Sequence, residues 1–300
     1  AFSVGPGLPT CVMNSGRAGT QNDALSFGGS SSYPNNCKNV TQIYNGSSWS
    51  SGNNMIQARG GIGSGNGSSD EAIGFGGYST GAKNCTEEYN GSTWSAGGNL
   101  ITARRFQGGT GTQNAALSQG GDYAASCGEE YNGSAWAVGA STIIPRTVLG
   151  LTGTQNSALA AGGYRPAPSS TPTNATELYN GVSWSATTCM LFDRLYNNHA
   201  VAGTQDYAIA LGSANSPNMP SEEWDGFSWA VGCTPNAPRK SLGSAGSVNA
   251  SIMMGGSVAG GNSGTPSVQE YTKSLLPPFT YDGAPSSDSW SNGANMITAN

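Results

Sequence analysis

Histidine is almost missing from this 300-residue chain; His199 is the only one. One histidine cannot build a multi-histidine metal centre, and histidine bases usually sit beside a partner. Charge is scarce as well. Lys, Arg, Asp and Glu make up 10% of the sequence, with 12 basic against 17 acidic residues and a formal net charge of −5. So thin a basic complement does not supply the clustered cations that phosphate neutralisation needs, and no nucleic-acid partner is expected. No apolar run reaches the length of a bilayer-spanning helix, so no membrane insertion is expected either. The six cysteines (Cys11, Cys37, Cys85, Cys127, Cys189 and Cys233) stand singly, without a Cys-x-x-Cys pair. Cys85 and Cys127 occupy the same repeat position, and same-site residues in neighbouring repeats lie too far apart to bridge. Most of the six are expected to be free thiols. No Walker loop, calcium loop or nucleophile elbow is present.

Glycine is abundant, with 46 residues, and Ser, Asn and Thr accompany it. These residues favour turns and short strands over helices. They are arranged in a repeat of about 45 residues, a period that signals a ring or solenoid. Its best-kept part is a hairpin, Tyr–Asn–Gly–x–x–Trp, at Tyr44 to Trp49, Tyr89 to Trp94, Tyr131 to Trp136 and Tyr179 to Trp184; Trp224 to Trp229 is a fifth copy with Asp-Gly. Asn-Gly between strand residues predicts a tight turn with φ > 0 at both central positions. Upstream lies a second strand pair, seen in Thr112-Gln113-Asn114 followed by Gly120-Gly121, and in the copies starting at Thr20, Thr154 and Thr204. Downstream of each Trp comes an Arg at constant spacing: Arg59, Arg104, Arg146, Arg194 and Arg239. Four short strands per unit, repeated around a centre, predict an all-β, six-bladed β-propeller with four antiparallel strands per blade.

Gly-Gly, then Tyr, then Trp, then Arg at this spacing resembles the kelch repeat. The stretches Gly111-Thr112-Gln113-Asn114-Ala115-Ala116-Leu117 and Glu129-Glu130-Tyr131-Asn132-Gly133-Ser134-Ala135-Trp136 are similar to kelch-like repeat proteins of tailed phages of marine cyanobacteria. The likeness covers nearly the whole chain. It implies a non-enzymatic structural protein of the virion, associated with capsid, tail or fibre and working by adhesion. Other virion proteins are the implied partners, with a host surface glycan as a second candidate. No cofactor, metal or catalytic residue is expected. A secreted carbohydrate-active enzyme or lectin is the alternative, since kelch-like rings serve both enzymes and binding proteins.

The ends compete for one place. There are six sets of the first three strands, but Phe2-Ser3-Val4-Gly5 and Ser289-Trp290-Ser291-Asn292 both suit the outer strand of blade six. The tight turn after Tyr271 is lost, so the ring is expected to close with the N-terminal strand. The whole chain, 1–300, then reads as one propeller, with 274–300 as an extension packed on the ring or on a partner.

The Arg series runs in step with Glu87, Glu129, Glu177 and Glu222, each two residues before the hairpin aromatic. Catalytic groups generally break a repeat, whereas these keep it. Together with Trp49, Trp94, Trp136, Trp184 and Trp229 they are read as structural, the arginines pairing with the glutamates or with backbone carbonyls. Strand alternation puts the Thr-Gln-Asn and Asn-Gly turns on one face. The variable loops 30–36, 78–84, 122–126, 164–173, 214–220 and 257–266 fall on the other. A rigid scaffold with one variable loop face suits recognition. Tyr33, Tyr78, Tyr123, Tyr164 and Arg165 are the candidate binding residues there.

Overall fold

The computed structural model describes residues 1–122, 125–194, 200–212, 219–237, 239–258 and 261–273. Among these residues there is no helix, and the strands form six four-stranded antiparallel sheets and one two-stranded sheet, Arg239–Lys240 with Ser257–Val258. In the first blade the strands are Gly16–Gly19, Ala24–Phe27, Thr41–Tyr44 and Trp49–Gly52, paired in chain order from the axis outwards. The inner strands Gly16–Gly19, Gly63–Ser64, Gly108–Thr112, Gly150–Gly153, Val201–Gly203 and Gly243–Gly246 contact one another in turn, which makes a closed ring. They are rich in glycine because backbones meet there. A Cβ added to Gly16 would lie 2.2 Å from the Phe27 ring.

The sixth blade takes its outer strand from the beginning of the chain. Phe2–Gly5 pairs antiparallel with Val268–Thr272, placing Phe2 opposite Tyr271 and Gly5 opposite Val268. Phe2 lies 4.9 Å from the Tyr271 ring, where the other blades stack tyrosine or tryptophan on a Trp at 4.9 to 5.4 Å. Trp290 and the proposed extension at 274–300 lie outside the described residues.

The hairpin turns are not the two-residue type the Asn-Gly pairs predict. Tyr44 pairs directly with Trp49, which leaves a four-residue loop. Only the glycine takes positive φ, at +88° in Gly46. The asparagine contributes through its side chain instead: Asn45 Oδ1 accepts the amides of Ser47 (3.0 Å) and Ser48 (2.9 Å). Asn90, Asn132, Asn180 and Asp225 do the same in their hairpins. This is an Asx turn, in which a side-chain oxygen replaces a backbone acceptor.

Neighbouring blades are tied by the aromatic pairs. The indole of Trp94 donates to Thr41 Oγ1 of the preceding blade at 2.8 Å, and Trp136 and Trp229 donate likewise to Thr86 and Thr176. Tyr44, Tyr131, Tyr179 and Tyr271 each donate to a glutamate of the preceding blade, Glu270, Glu88, Glu130 and Glu223, at 2.5 to 2.6 Å. Burial first, and then the carboxylate contact, push the Tyr44 and Tyr131 phenols up to about 12. The exceptions follow from sequence. Blade one has Ile43 where the acid would be, and Tyr89 turns to Gly91 O. Gly128 and Val268 stand in the threonine position of blades three and six, and the indoles of Trp184 and Trp49 are buried without an acceptor.

That last defect is correctable at one place. Val268→Thr keeps the shape and offers an oxygen to Trp49 Nε1. It should add about 1 kcal/mol, the net worth of one satisfied hydrogen bond, and raise the thermal midpoint by roughly 2 °C. Differential scanning calorimetry reads this directly; a lowered midpoint would show that the hydroxyl misses the indole. The same change at Gly128 is closed, because a Cβ there would sit 2.4 Å from Ala140 O. All six cysteines are free thiols.

Candidate functional site

The repeat arginines do not point into the axis. Each leaves a linker and enters the wall of the next blade. Arg59 Nη2 lies 2.9 Å from Glu87 Oε1, Arg146 Nη2 2.7 Å from Glu177 Oε1 and Arg194 Nε 2.9 Å from Glu222 Oε1. Arg104 pairs with Glu129 in the same manner. These side chains are at most 3% exposed. Each Arg Nη1 also donates to a glycine carbonyl at the end of the second strand, Gly76, Gly120 and Gly162 at the head of a Gly-Gly pair and Gly212 before Ser213. The glutamates accept linker amides too, Ile56 and Gln57 for Glu87. Paired with each other and buried, these groups hold linkers to blades and are not available to a ligand, although Nε of Arg59 and of Arg146 has no acceptor.

Two blades depart from the pairing. Val12 takes the arginine place ahead of blade one, and there the acid is replaced by Gln42, which accepts Thr10 N at 2.7 Å. Gln269 stands in the place of the glutamate for Arg239, and it bonds Asn236 N and Ala237 O instead of the guanidinium. Arg239 donates to Gly255 O (2.7 Å) and to Ser267 O, while its Nε and Nη2 are buried without acceptors. Burial pulls its pKa down to about 10.

Two residues beyond the arginine position the chain turns sharply into the inner strand at the five such places among the described residues. Asn14, Gly61, Phe106, Val148 and Ser241 have φ of +50° to +58°. Phe and β-branched Val rarely adopt this region, so a cost of about 1–3 kcal/mol each is met by surrounding structure. Their amides form a hoop. Asn14 N donates to Ser241 O (2.8 Å), Gly61 N to Asn14 O (2.9 Å), Phe106 N to Gly61 O (3.0 Å) and Val148 N to Phe106 O (2.8 Å). Phe106 and Val148, held in this conformation, line a depression.

That depression is the axial mouth of the variable-loop face. It encloses about 560 Å³ and is walled by Tyr33, Phe106, Val148 and Tyr164, with Asn14, Asp122 and Asn262 among its polar groups. Of the candidate binding residues, Tyr33 and Tyr164 stand in this wall, each partly exposed. Tyr78 does not. It is 2% exposed, shares a 3.1 Å hydrogen bond with Ser30 Oγ, and packs edge-on beneath Tyr33 at 5.4 Å, so it supports an anchor and cannot itself be one. Burial pushes its phenol up to about 12. Arg165 is partly exposed but lies outside the mouth. Tyr123 lies outside the described residues.

The mouth carries one cation, Lys240, and one carboxylate, Asp122. Its carboxylate Asp122 accepts from Arg105 Nε at 2.9 Å and from Thr147 Oγ1 at 3.0 Å. Arg105 in turn stacks over Phe106 at 5.5 Å. Aromatic faces beside amide and hydroxyl groups suit a ligand with both apolar faces and hydroxyls. The linker residues Phe106 and Val148 escape a sequence reading because nothing about Phe or Val announces positive φ; their constant offset from Arg104 and Arg146 was the available signal. Among the described residues no group of three or more His, Cys, Asp or Glu is placed to hold a metal. His199 lies outside the described residues. Compared with known proteins, the chain matches no protein-family model and no curated sequence.

Proposed function

We propose that this ring is a non-enzymatic binding module that takes its ligand at the axial mouth, and that it serves in a virion as a capsid-, tail- or fibre-associated protein. The virion setting rests on the kelch-like resemblance. The binding role rests on one observation, the 560 Å³ mouth with Tyr33 and Tyr164 in its wall and Asp122 already occupied by Arg105 and Thr147. Tyrosine anchors contact at low entropic cost, and a carboxylate held by two donors is poorly placed for proton transfer. A neutral host-surface glycan and a neighbouring virion protein are the two candidate partners.

An array of neutral oligosaccharides tests the first partner, and mass spectrometry of purified particles tests the setting. Binding should weaken about tenfold or more in Tyr33→Ala and in Tyr164→Ala, the usual effect of removing an aromatic anchor, with the thermal midpoint unchanged. Full binding in both variants would move the site elsewhere. Hydrolysis of the bound glycan by the isolated protein would replace the reading with the enzymatic one.

A further inference from the structure

Arg17 belongs to none of the series above. It lies on the inner strand of blade one, where strand register puts Ser64, Gly109, Leu151, Val201 and Ser244 in the other blades. Its side chain crosses the axis. Nη2 donates to Leu151 O (3.2 Å) and Val201 O (3.1 Å) on blades four and five, and Nη1 to Ser244 Oγ (3.4 Å) on blade six. Arg17 is 1% exposed, and no carboxylate among the described residues lies within ion-pair distance. All three acceptors are neutral, and the bond to Ser244 Oγ is long. The contrast within the molecule is sharp, because four of the five repeat arginines have a glutamate at the guanidinium. A guanidinium stays protonated at neutral pH, and burying a charge without a counter-charge is costly.

Beside Arg17 is a cavity of about 80 Å³, on the short-turn side of the ring, away from the mouth. Its other walls are small or neutral, including Ala18, Asn66, Ala202 and Ser244. One probe-sized water occupies about 10–15 Å³ on this measure, so the space admits a halide-sized ion with accompanying waters.

We propose that this cavity is an anion site, in which a small inorganic monoanion of the chloride class rests against the Arg17 guanidinium and supplies the counter-charge that the chain does not. Burial pulls the Arg17 pKa down to about 9, in keeping with a cation that the protein alone solvates poorly. The ion would bind the folded ring and not the unfolded chain, and so would act as a stabilising ligand. The site is independent of the mouth and of any partner bound there.

The test uses the full chain. Thermal midpoints are compared in sodium chloride and in sodium gluconate at matched ionic strength, since gluconate is too large for the cavity. Chloride should raise the midpoint saturably by several degrees. Crystals grown in bromide should show an anomalous peak within contact distance of the Arg17 guanidinium. Arg17→Met, a neutral side chain of similar length, should lose the chloride shift. If that variant does not fold, the bromide position and the wild-type shift decide between them. Equal midpoints in the two salts, a shift retained in Arg17→Met, or bromide only at other positions would each overturn the proposal.

Discussion

Glu177→Ala is expected to destabilise the ring by about 4 kcal/mol, the range seen when one partner of a buried ion pair is removed. In a chain of this size that lowers the thermal midpoint by roughly 6–8 °C. Three bonds are lost at once. Glu177 accepts from Arg146 Nη2 at 2.7 Å, from Ile143 N at 2.7 Å and from Ile144 N at 3.2 Å. Arg146 and Glu177 side chains are both 0% exposed, so the orphaned guanidinium has no route to water. Glu177→Gln should cost less, because an amide oxygen can still accept the linker amides of Ile143 and Ile144, as Gln269 Oε1 accepts Asn236 N. The double change Arg146→Val with Glu177→Gln copies blade one, where Val12 and Gln42 hold the two places without charge, and should recover part of the loss. Urea denaturation of the three variants orders them. An alanine variant as stable as the wild type would show that the pair contributes nothing net.

Gly153→Val should be as damaging for a different reason. Gly153 ends the inner strand of blade four at φ +108°, and a Cβ there would lie 2.2 Å from Ser157 O and 3.0 Å from the Ala158 Cα. Both are backbone atoms of its own hairpin, so relief requires opening the turn. Gly153 O also accepts Thr110 Oγ1 of blade three at 2.6 Å, and that inter-blade tie moves with the turn. Backbone strain and overpacking each cost about 1–3 kcal/mol, and a β-branched residue incurs both. A loss of about 4 kcal/mol is expected, with reduced soluble yield. Gly81→Ala is the control: no atom lies within 4 Å of its added Cβ, and stability should not change. Equal midpoints for the two variants would show that the turn is more pliant than its geometry implies.

Much of this architecture was legible in the residues, and what was missed has physical causes. The hairpins could be read because Tyr, Asn-Gly and Trp recur in register. Closure by the first strand could be read because the hairpin after Tyr271 is broken while Phe2 keeps the spacing to Val12. The Asn-Gly turn type was misjudged because asparagine has two ways to make a turn, by its backbone or by its side chain, and the residue pair is the same for both. Tyr78 was misplaced because a loop tyrosine can face out or in, and only the neighbouring Tyr33 and Phe106 decide. The contacts of Arg17 were invisible for a stronger reason. Its acceptors are 134 and 184 residues away, and they meet it only when the ring is closed.

The pairing of Phe2–Gly5 with Val268–Thr272 also sets an order of events during synthesis. The first strand leaves the ribosome early and its partner leaves late. At typical elongation rates the interval is roughly 10–50 s. Blades one to five can zip up locally in that time, each from its own contiguous segment, while Phe2–Gly5 waits without a mate. On a polysome, a waiting strand can equally well seat in the sixth blade of an adjacent nascent chain, which yields strand-exchanged dimers in place of closed monomers. The composition of Phe-Ser-Val-Gly, short and only half apolar, keeps that strand a weak nucleus for aggregation while it waits. The sixth blade, and with it ring closure, cannot be completed before Val268–Thr272 has been made.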